Sequence, residues 1–299
     1  MPYSLSTDDR TLGDALRRIA HRQIGEALDA IRKDDPAKAV HEVRRRAKTL
    51  RGLIRLFRTG FDEFADADDA IRAIARPLSA TRDAKVMLDT ADMLAAKAEG
   101  HAARHMFKHI HRRLDAERKE KRDGERVDDL LHAARERLKH LEDRAEIWTV
   151  EGEGWNVPGE GAAITYGHML KNGARALSGH RPEDFHELRK HVRYHWCHAR
   201  LLRPLWPEEM DARALVADEL AHGLGQHHDL AVFTGWIGRE AIHLGPADDL
   251  APVLALAAQE SSALEDRARE LCGRLLAETE ASFIRRWHAL WRNWESASG

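Results

Sequence analysis

One stretch of this chain is written twice. In the first half it runs Val40-His41-Glu42-Val43-Arg44-Arg45-Arg46-Ala47-Lys48, followed by Arg55-Leu56-Phe57-Arg58. In the second it runs Phe185-His186-Glu187-Leu188-Arg189-Lys190-His191-Val192-Arg193, followed by Arg200-Leu201-Leu202-Arg203. A shift of 145 positions lays His41 on His186, Glu42 on Glu187, Arg44 on Arg189, Lys48 on Arg193, Arg55 on Arg200 and Arg58 on Arg203. Farther on, Leu78-Ser79-Ala80-Thr81-Arg82-Asp83 pairs with Leu224-Gly225-Gln226-His227-His228-Asp229, one residue out of step with the first match. Two matches in the same order mark an internal duplication, so the fold has to be one that two similar halves can build.

Each half reads as helix. Three tyrosines and nine prolines leave little of the aromatic and β-branched alternation that strands require. Apolar residues recur at helical spacing over 12–31, and Asp34-Asp35-Pro36 then breaks the pattern and opens a helix over 37–58. Further helices are predicted over 62–75, 83–97, 101–121 and 126–148, and then over 164–178, 182–202, 208–223 and 229–243. A long pair follows over 250–294. Four glycines and a proline in 149–161 mark a linker. It divides the chain into a first bundle, 1–148, and a second, 162–299.

On a helix at about 100° per residue, Val43, Ala47, Leu50, Ile54 and Phe57 fall on one stripe that faces a core. His41, Arg44, Arg45, Lys48, Arg51, Arg55 and Arg58 fall on the wedge beside it, and Arg46 points elsewhere. The second copy repeats the wedge with His186, Arg189, Lys190, Arg193, Arg200 and Arg203, while Trp196 and Cys197 replace Arg51 and Gly52. Like charges at i,i+4 repel by a few tenths of a kcal/mol per pair, and only Glu42 or Glu187 lies within each segment to relieve them. Four helical turns carry the cations along a line of roughly 20 Å, a linear receptor for a linear polyanion. Arginine grips phosphate oxygens in a fork, and protonated histidine adds a pH-dependent donor. A solvated helix face is the ordinary reading of one such run, but it gives no reason for two runs in matched register. The balance of 48 Lys and Arg against 50 Asp and Glu, net −2, hides this segregation.

Arg82, Lys85 and His228 flank the second repeated motif at a predicted helix start, where backbone N–H groups favour anions. Asp83 and Asp229 there read as helix caps or as partners of the arginines.

The doubled His-x-x-Arg with Lys or Arg four positions on, each followed by a Leu-to-Asp element, resembles the CHAD family, the conserved histidine α-helical domain. The resemblance covers nearly the whole chain. It implies an all-α fold of two four-helix bundles related by pseudo-twofold symmetry around a central basic channel. It also implies non-catalytic binding of inorganic polyphosphate and, in some members, association with polyphosphate granules. By the same resemblance the binding positions are His41, Arg44, Arg45, Lys48, Arg51 and Arg55 in the first half, and His186, Arg189, Lys190, Arg193 and Arg200 in the second. Trp196, where a cation is expected, and His228, opposite Arg82, depart from the pattern. Some family members carry a fused triphosphate tunnel enzyme, but Glu151-Gly152-Glu153 lies in the Gly-rich linker and leaves no room for its barrel.

Other chemistry finds less support. His101, His105 and His109, and likewise His191, His195 and His198, have helical spacing that suits zinc, but no carboxylate or cysteine completes either set locally. Ser261, Ser262 and Cys197 have no recognisable general base, and no phosphate-cradling Gly-x-x-x-x-Gly-Lys loop occurs. No catalytic residue, metal or cofactor is expected. Nucleic acid is an alternative partner for the same helices, with Trp287, Trp291 and Trp294 available to stack on bases unless that stripe belongs to the core. A polyphosphate-processing enzyme is a weaker one. The first residues show no secretory leader and no apolar run approaches the roughly 20 residues of a membrane span, so a cytoplasmic protein is expected. Cys197 and Cys272 read as buried free thiols, with a single disulfide as the alternative.

Overall fold

The first break in the sequence pattern is also the first corner of the fold. Asp35 caps a helix by accepting the Lys38 N–H at 3.1 Å, and Pro36 fills the first turn, where its missing N–H is no loss. Thr11 does the same one helix earlier, accepting from the Asp14 N–H at 3.0 Å. The computed structural model describes residues 3–124 and 127–298, with every side chain in them except those of residues 80–84, 102, 120–124 and 298. The described residues are helical throughout and contain no strand. In the first half the helices are α1 (Leu12–Lys33), α2 (Pro36–Leu56), α3 (Phe64–Ala75), α4 (Ala80–Lys97), α5 (His101–Gly124) and α6 (Val127–Ala145). In the second they are α7 (Asn156–Gly179), α8 (Pro182–Leu201), α9 (Pro207–Leu244), α10 (Ala247–Leu275) and α11 (Glu280–Ser298).

Helix α1 packs on α2 and α6, and α3 closes that group against α2 and α6. In the second half α7 packs on α8, α8 on α9, and α9 on α10. The apolar cores cross the division between the halves. Leu201, Leu202, Phe283, Trp287 and Trp291 join the core built by α1, α2, α3 and α6. Another core is made by Leu94, Phe107 and Ile110 of α4 and α5 with Phe233, Ile237 and Val253 of α9 and α10. The α4–α5 hairpin of the first half is therefore seated on the far ends of the two long helices of the second.

Three expectations change. The predicted helices 208–223 and 229–243 are one helix, α9, running through Gly223 and Gly225. Two glycines cost it about 2 kcal/mol in propensity, and its packing between α8 and α10 outweighs that. Asp229 thus lies inside a helix and caps nothing. The irregular stretch predicted over 149–161 is shorter, because α7 begins at Asn156 with Pro158 in its first turn. Gly161 belongs to α7, where any Cβ would strike the Leu56 carbonyl oxygen, so the glycine serves a close helix approach rather than a loop. The predicted start at 126 falls outside the described residues.

Helices α2 and α8, the two copies of the repeated segment, cross directly on one another. They meet at Gly52 and Cys197, which are equivalent positions of the duplication. A Cβ on Gly52 would lie 2.4 Å from the Cys197 Cβ. The crossing is locked by His198, whose Nε2–H donates to the Gly52 carbonyl at 3.2 Å, and by the buried Tyr3 hydroxyl, which donates to the Thr49 carbonyl at 2.9 Å. Overpacking such a contact destabilises by about 1–3 kcal/mol. Gly52→Ala is therefore expected to lower the urea midpoint despite its better helix propensity, and adding Cys197→Gly to restore most of the loss. A Gly52→Ala variant as stable as the parent would show that the crossing is loose.

Candidate functional site

The seam between α2 and α8 gathers cations from both copies of the repeat. Arg51 and Arg55 of α2 reach the ring of Tyr194 on α8, with guanidinium carbons 5.8 and 4.2 Å from its centroid. The buried Cys197 thiol at the crossing is pushed up to about 11 by burial, against the opposing pull of Arg193, Arg200 and Arg55. Cations of both copies thus act on one buried atom.

Most of these cations are already held in place. Asp68 of α3, 5 % exposed, accepts from Arg51 Nε at 2.7 Å and from Arg55 at 2.8 and 3.1 Å. Burial alone would push the Asp68 carboxyl up, but the hydrogen bonds from Arg55 and Arg51 outweigh it and bring it down to about 2. Arg72 also lies 3.3 Å from the same carboxylate. Glu42 serves both Arg45, at 2.6 and 2.8 Å, and Arg46. Arg46 turns toward α1, to Gln23 and Glu26, as the helical wheel places it. One carboxylate shared by two or three guanidiniums fixes their geometry and leaves positive charge in excess.

In the second copy the anchors differ. Lys190 pairs with Glu187 at 2.6 Å and Arg193 with Asp218 at 2.7 Å. Arg193 and Arg200 lie over Trp196, at 4.1 and 4.6 Å from its ring. The tryptophan that departs from the repeat is thus a cation–π platform for its two neighbours. Arg200 also lies over Tyr3 at 5.6 Å, and no carboxylate among the described residues is within ion-pair distance of it.

Two further parts of the duplication match in space. Arg44 donates to the Ser79 hydroxyl, and Arg189 lies against Gly225, the residue that replaces Ser79 in the second copy. A Cβ on Gly225 would stand 2.8 Å from the Arg189 Nη2, so the glycine makes room for the guanidinium. His186 of α8 and His228 of α9 face each other with ring centroids 4.6 Å apart. His41, Lys48 and Lys85 are exposed, the first two on α2 and the third on α4. The side chain of Arg82, and with it that of Asp83, lies outside the described residues.

The histidines are not the cations their number suggested. Burial, His228, Lys190 and Arg189 lower the proton affinity of His186. Burial and His168 bring His191 down to about 4, and burial brings His198 to about 3. The set His191, His195 and His198 is dispersed: His191 faces His168, His195 accepts from Arg213 Nε at 2.7 Å, and His198 holds the crossing. Among the described residues no group of three His, Cys, Asp or Glu side chains is placed to hold a metal ion. Both cysteines are free and buried. Trp287 and Trp291 are core residues, so little of that stripe is open to bases. Among the described residues no helix is long and apolar enough to cross a membrane.

Sequence reasoning missed Asp68, Tyr194 and Tyr3. A signal existed for Asp68: it adjoins the apolar stripe of Ala67, Ile71 and Ile74 on α3, where an acid is expensive to bury without a cation.

The described residues form an all-helical fold in which the two basic helices α2 and α8 cross at Gly52 and Cys197. The CHAD domain model matches residues 15–238, and the chain belongs to the CHAD domain family. PptA from Streptomyces chartreusis shares the fold, with a TM-score of 0.60 and 14% identity over 87% of this chain and 99% of that one. The crystal structure of the CHAD domain from the plant Ricinus communis aligns over 96% of this chain and 94% of that one, with a TM-score of 0.46 and 15% identity. No curated protein sequence matches the chain.

The depressed histidines link folding to pH. Unfolded, they bind protons near pH 6.5; folded, they resist until about pH 4 for His191 and about 3 for His198. Their contribution is complete above about pH 6.5 and is lost as pH falls below it. The melting temperature is expected to drop between pH 7.5 and pH 5, and less steeply in His198→Gln. Equal slopes in the two proteins would contradict this role for His198.

Proposed function

We propose that this chain binds inorganic polyphosphate, without acting on it, along the seam where α2 and α8 meet. In this reading α1, α2, α3 and α6 form one of the duplicated bundles, and α7, α8, α9 and α10 the other. A pseudo-twofold axis passes near Gly52 and Cys197, and the basic faces of α2 and α8 line a central channel. His41, Arg44, Arg45, Lys48, Arg51, Arg55, Arg82 and Lys85 approach the chain of phosphates from the first half. His186, Arg189, Lys190, Arg193, Arg200 and His228 approach it from the second. Binding of this kind would bring the protein to polyphosphate granules.

The observation that carries the proposal is the meeting of two basic helices at equivalent residues of the repeat, with Arg51 and Arg55 sharing one carboxylate and Arg45 and Arg46 another. Helices that repel one another need a reason to cross, and a threaded polyanion that neutralises both supplies it. Fixed guanidinium forks suit phosphate oxygens and lose little freedom on binding. The family itself, established by the match over residues 15–238, points to the same ligand.

Reversal of Arg44, Lys48, Arg189 and Arg193 to Glu is expected to weaken binding of long-chain polyphosphate by about 100-fold or more at moderate salt, with helicity kept. Unchanged affinity in that folded variant would defeat the proposal. Asp68→Asn separates stability from binding. Removing the carboxylate leaves Arg51 and Arg55 partly buried and uncompensated, a loss of about 2 kcal/mol, less than for a fully buried pair. The same change adds positive charge to the seam. Lower stability together with tighter, more salt-sensitive polyphosphate binding is expected, measured by urea melts and by titration at several salt concentrations. Weaker binding would mean that Asp68 positions the arginines rather than competing with the ligand.

A further inference from the structure

A second concentration of cations lies away from the seam, on the outer face of α5. Arg104, Lys108 and Arg112 follow one another at i,i+4 and are all exposed. His101 and His105 continue the row with stacked rings 6.5 Å apart. At about 1.5 Å per residue, Arg104 to Arg112 spans roughly 12 Å. Unlike Arg51 and Arg55 at the seam, these have no carboxylate within ion-pair distance among the described residues. Arg104 Nε donates to the Ala98 carbonyl at 3.3 Å, and Arg112 Nε to that of Lys108 at 3.4 Å. Among the residues lining the groove beside it the one acid is Asp92 of α4, 3.5 Å from His111. Arg113, one residue beyond the row, turns away to Glu240.

The row borders a groove of about 600 Å³ between α4 and α5, floored by Phe107 and Ala95 and walled by the cations. Nothing in the packing requires this arrangement. The residues on the buried face of α5, Met106, Phe107, Ile110 and Leu114, account for its docking on α9 and α10. The neighbouring helix α10 carries no Lys, Arg or His from 247 to 260. Three repelling charges in a line beside a groove answer to a ligand with several linked anionic groups.

We infer that the α5 face with its α4–α5 groove is a second phosphate-chain site, separate from the α2–α8 seam. Each guanidinium fork takes oxygens of one phosphate group, Lys108 takes the group between them, and Asp92 limits how far the chain enters the groove. The identity of the ligand rests on the polyphosphate reading, whereas the site itself does not. A long polyphosphate engaging both sites on one protein, or joining two proteins, gains avidity that a short one lacks.

The test is calorimetric titration of the full chain with tripolyphosphate. The parent is expected to bind two molecules per chain. Arg104→Gln, Lys108→Gln and Arg112→Gln together are expected to reduce this to one and leave the affinity of the remaining site within about twofold. The seam variant with Arg44, Lys48, Arg189 and Arg193 reversed should lose the other event and keep this one. Should the triple variant fold poorly, Lys108→Glu alone is expected to weaken the α5 event by about tenfold. A stoichiometry that is the same in the parent and in the folded triple variant would overturn the inference, and a single parent event lost in the triple variant would sustain it and defeat the seam reading. Two events in the parent, of which only the α5 event responds to its variant, would sustain it and defeat the seam reading instead.

Discussion

The contact of α2 with α8 at Gly52 and Cys197 is the constraint on which the rest of this structure depends. Two helices bearing rows of cations meet at less than the spacing that any side chain on Gly52 would permit. The touching residues, Gly52 and Cys197, are 145 positions apart, the offset of the repeated segment. The buried partners of this crossing, His198 on the Gly52 carbonyl and Tyr3 on the Thr49 carbonyl, are polar groups satisfied by backbone rather than by water. They fix the register of two helices that charge alone would separate.

The electrostatics follow from that register. In the first copy Asp68 gathers Arg51 and Arg55 and is itself held near 2, so the cluster is rigid but still net positive. The position 145 residues after Asp68 is Arg213, which is buried against His195 and the Leu275 carbonyl. Trp196 lies beneath Arg193 and Arg200 in the second copy, while Asp218 takes Arg193 and Glu187 takes Lys190. The second copy has Trp196 where the first has Arg51, and different side chains hold its remaining cations. An aromatic platform positions a guanidinium without cancelling its charge.

Much of this was legible in the sequence, for physical reasons that can be named. The Asp34-Asp35-Pro36 corner is a local signal, and the break and the helix after it form as read. The wedge of cations on α2, with Arg46 apart from it, follows from helical angle alone. What failed were inferences about glycine and histidine. Gly161 read as part of a linker and 224–228 as a gap between helices, yet both lie inside helices, because composition does not distinguish a turn from a close approach. The histidines read as cations near pH 6.5, and burial removes that charge from His191, His195 and His198. The pairing of Asp68 with Arg51 and Arg55 is non-local and needs α3 folded back on α2 before it exists. The cores shared between halves were equally hidden, since periodicity gives each helix an apolar face and does not say which partner covers it.

The account is most directly tested by a crystal structure of the full chain with bound tripolyphosphate. It predicts phosphate oxygens within hydrogen-bond distance of cations from both copies at once, with Arg44 or Lys48 on one side and Arg189 or Arg193 on the other. Phosphate density that touches only one of the two helices, while their cations remain on their own carboxylates, would contradict it.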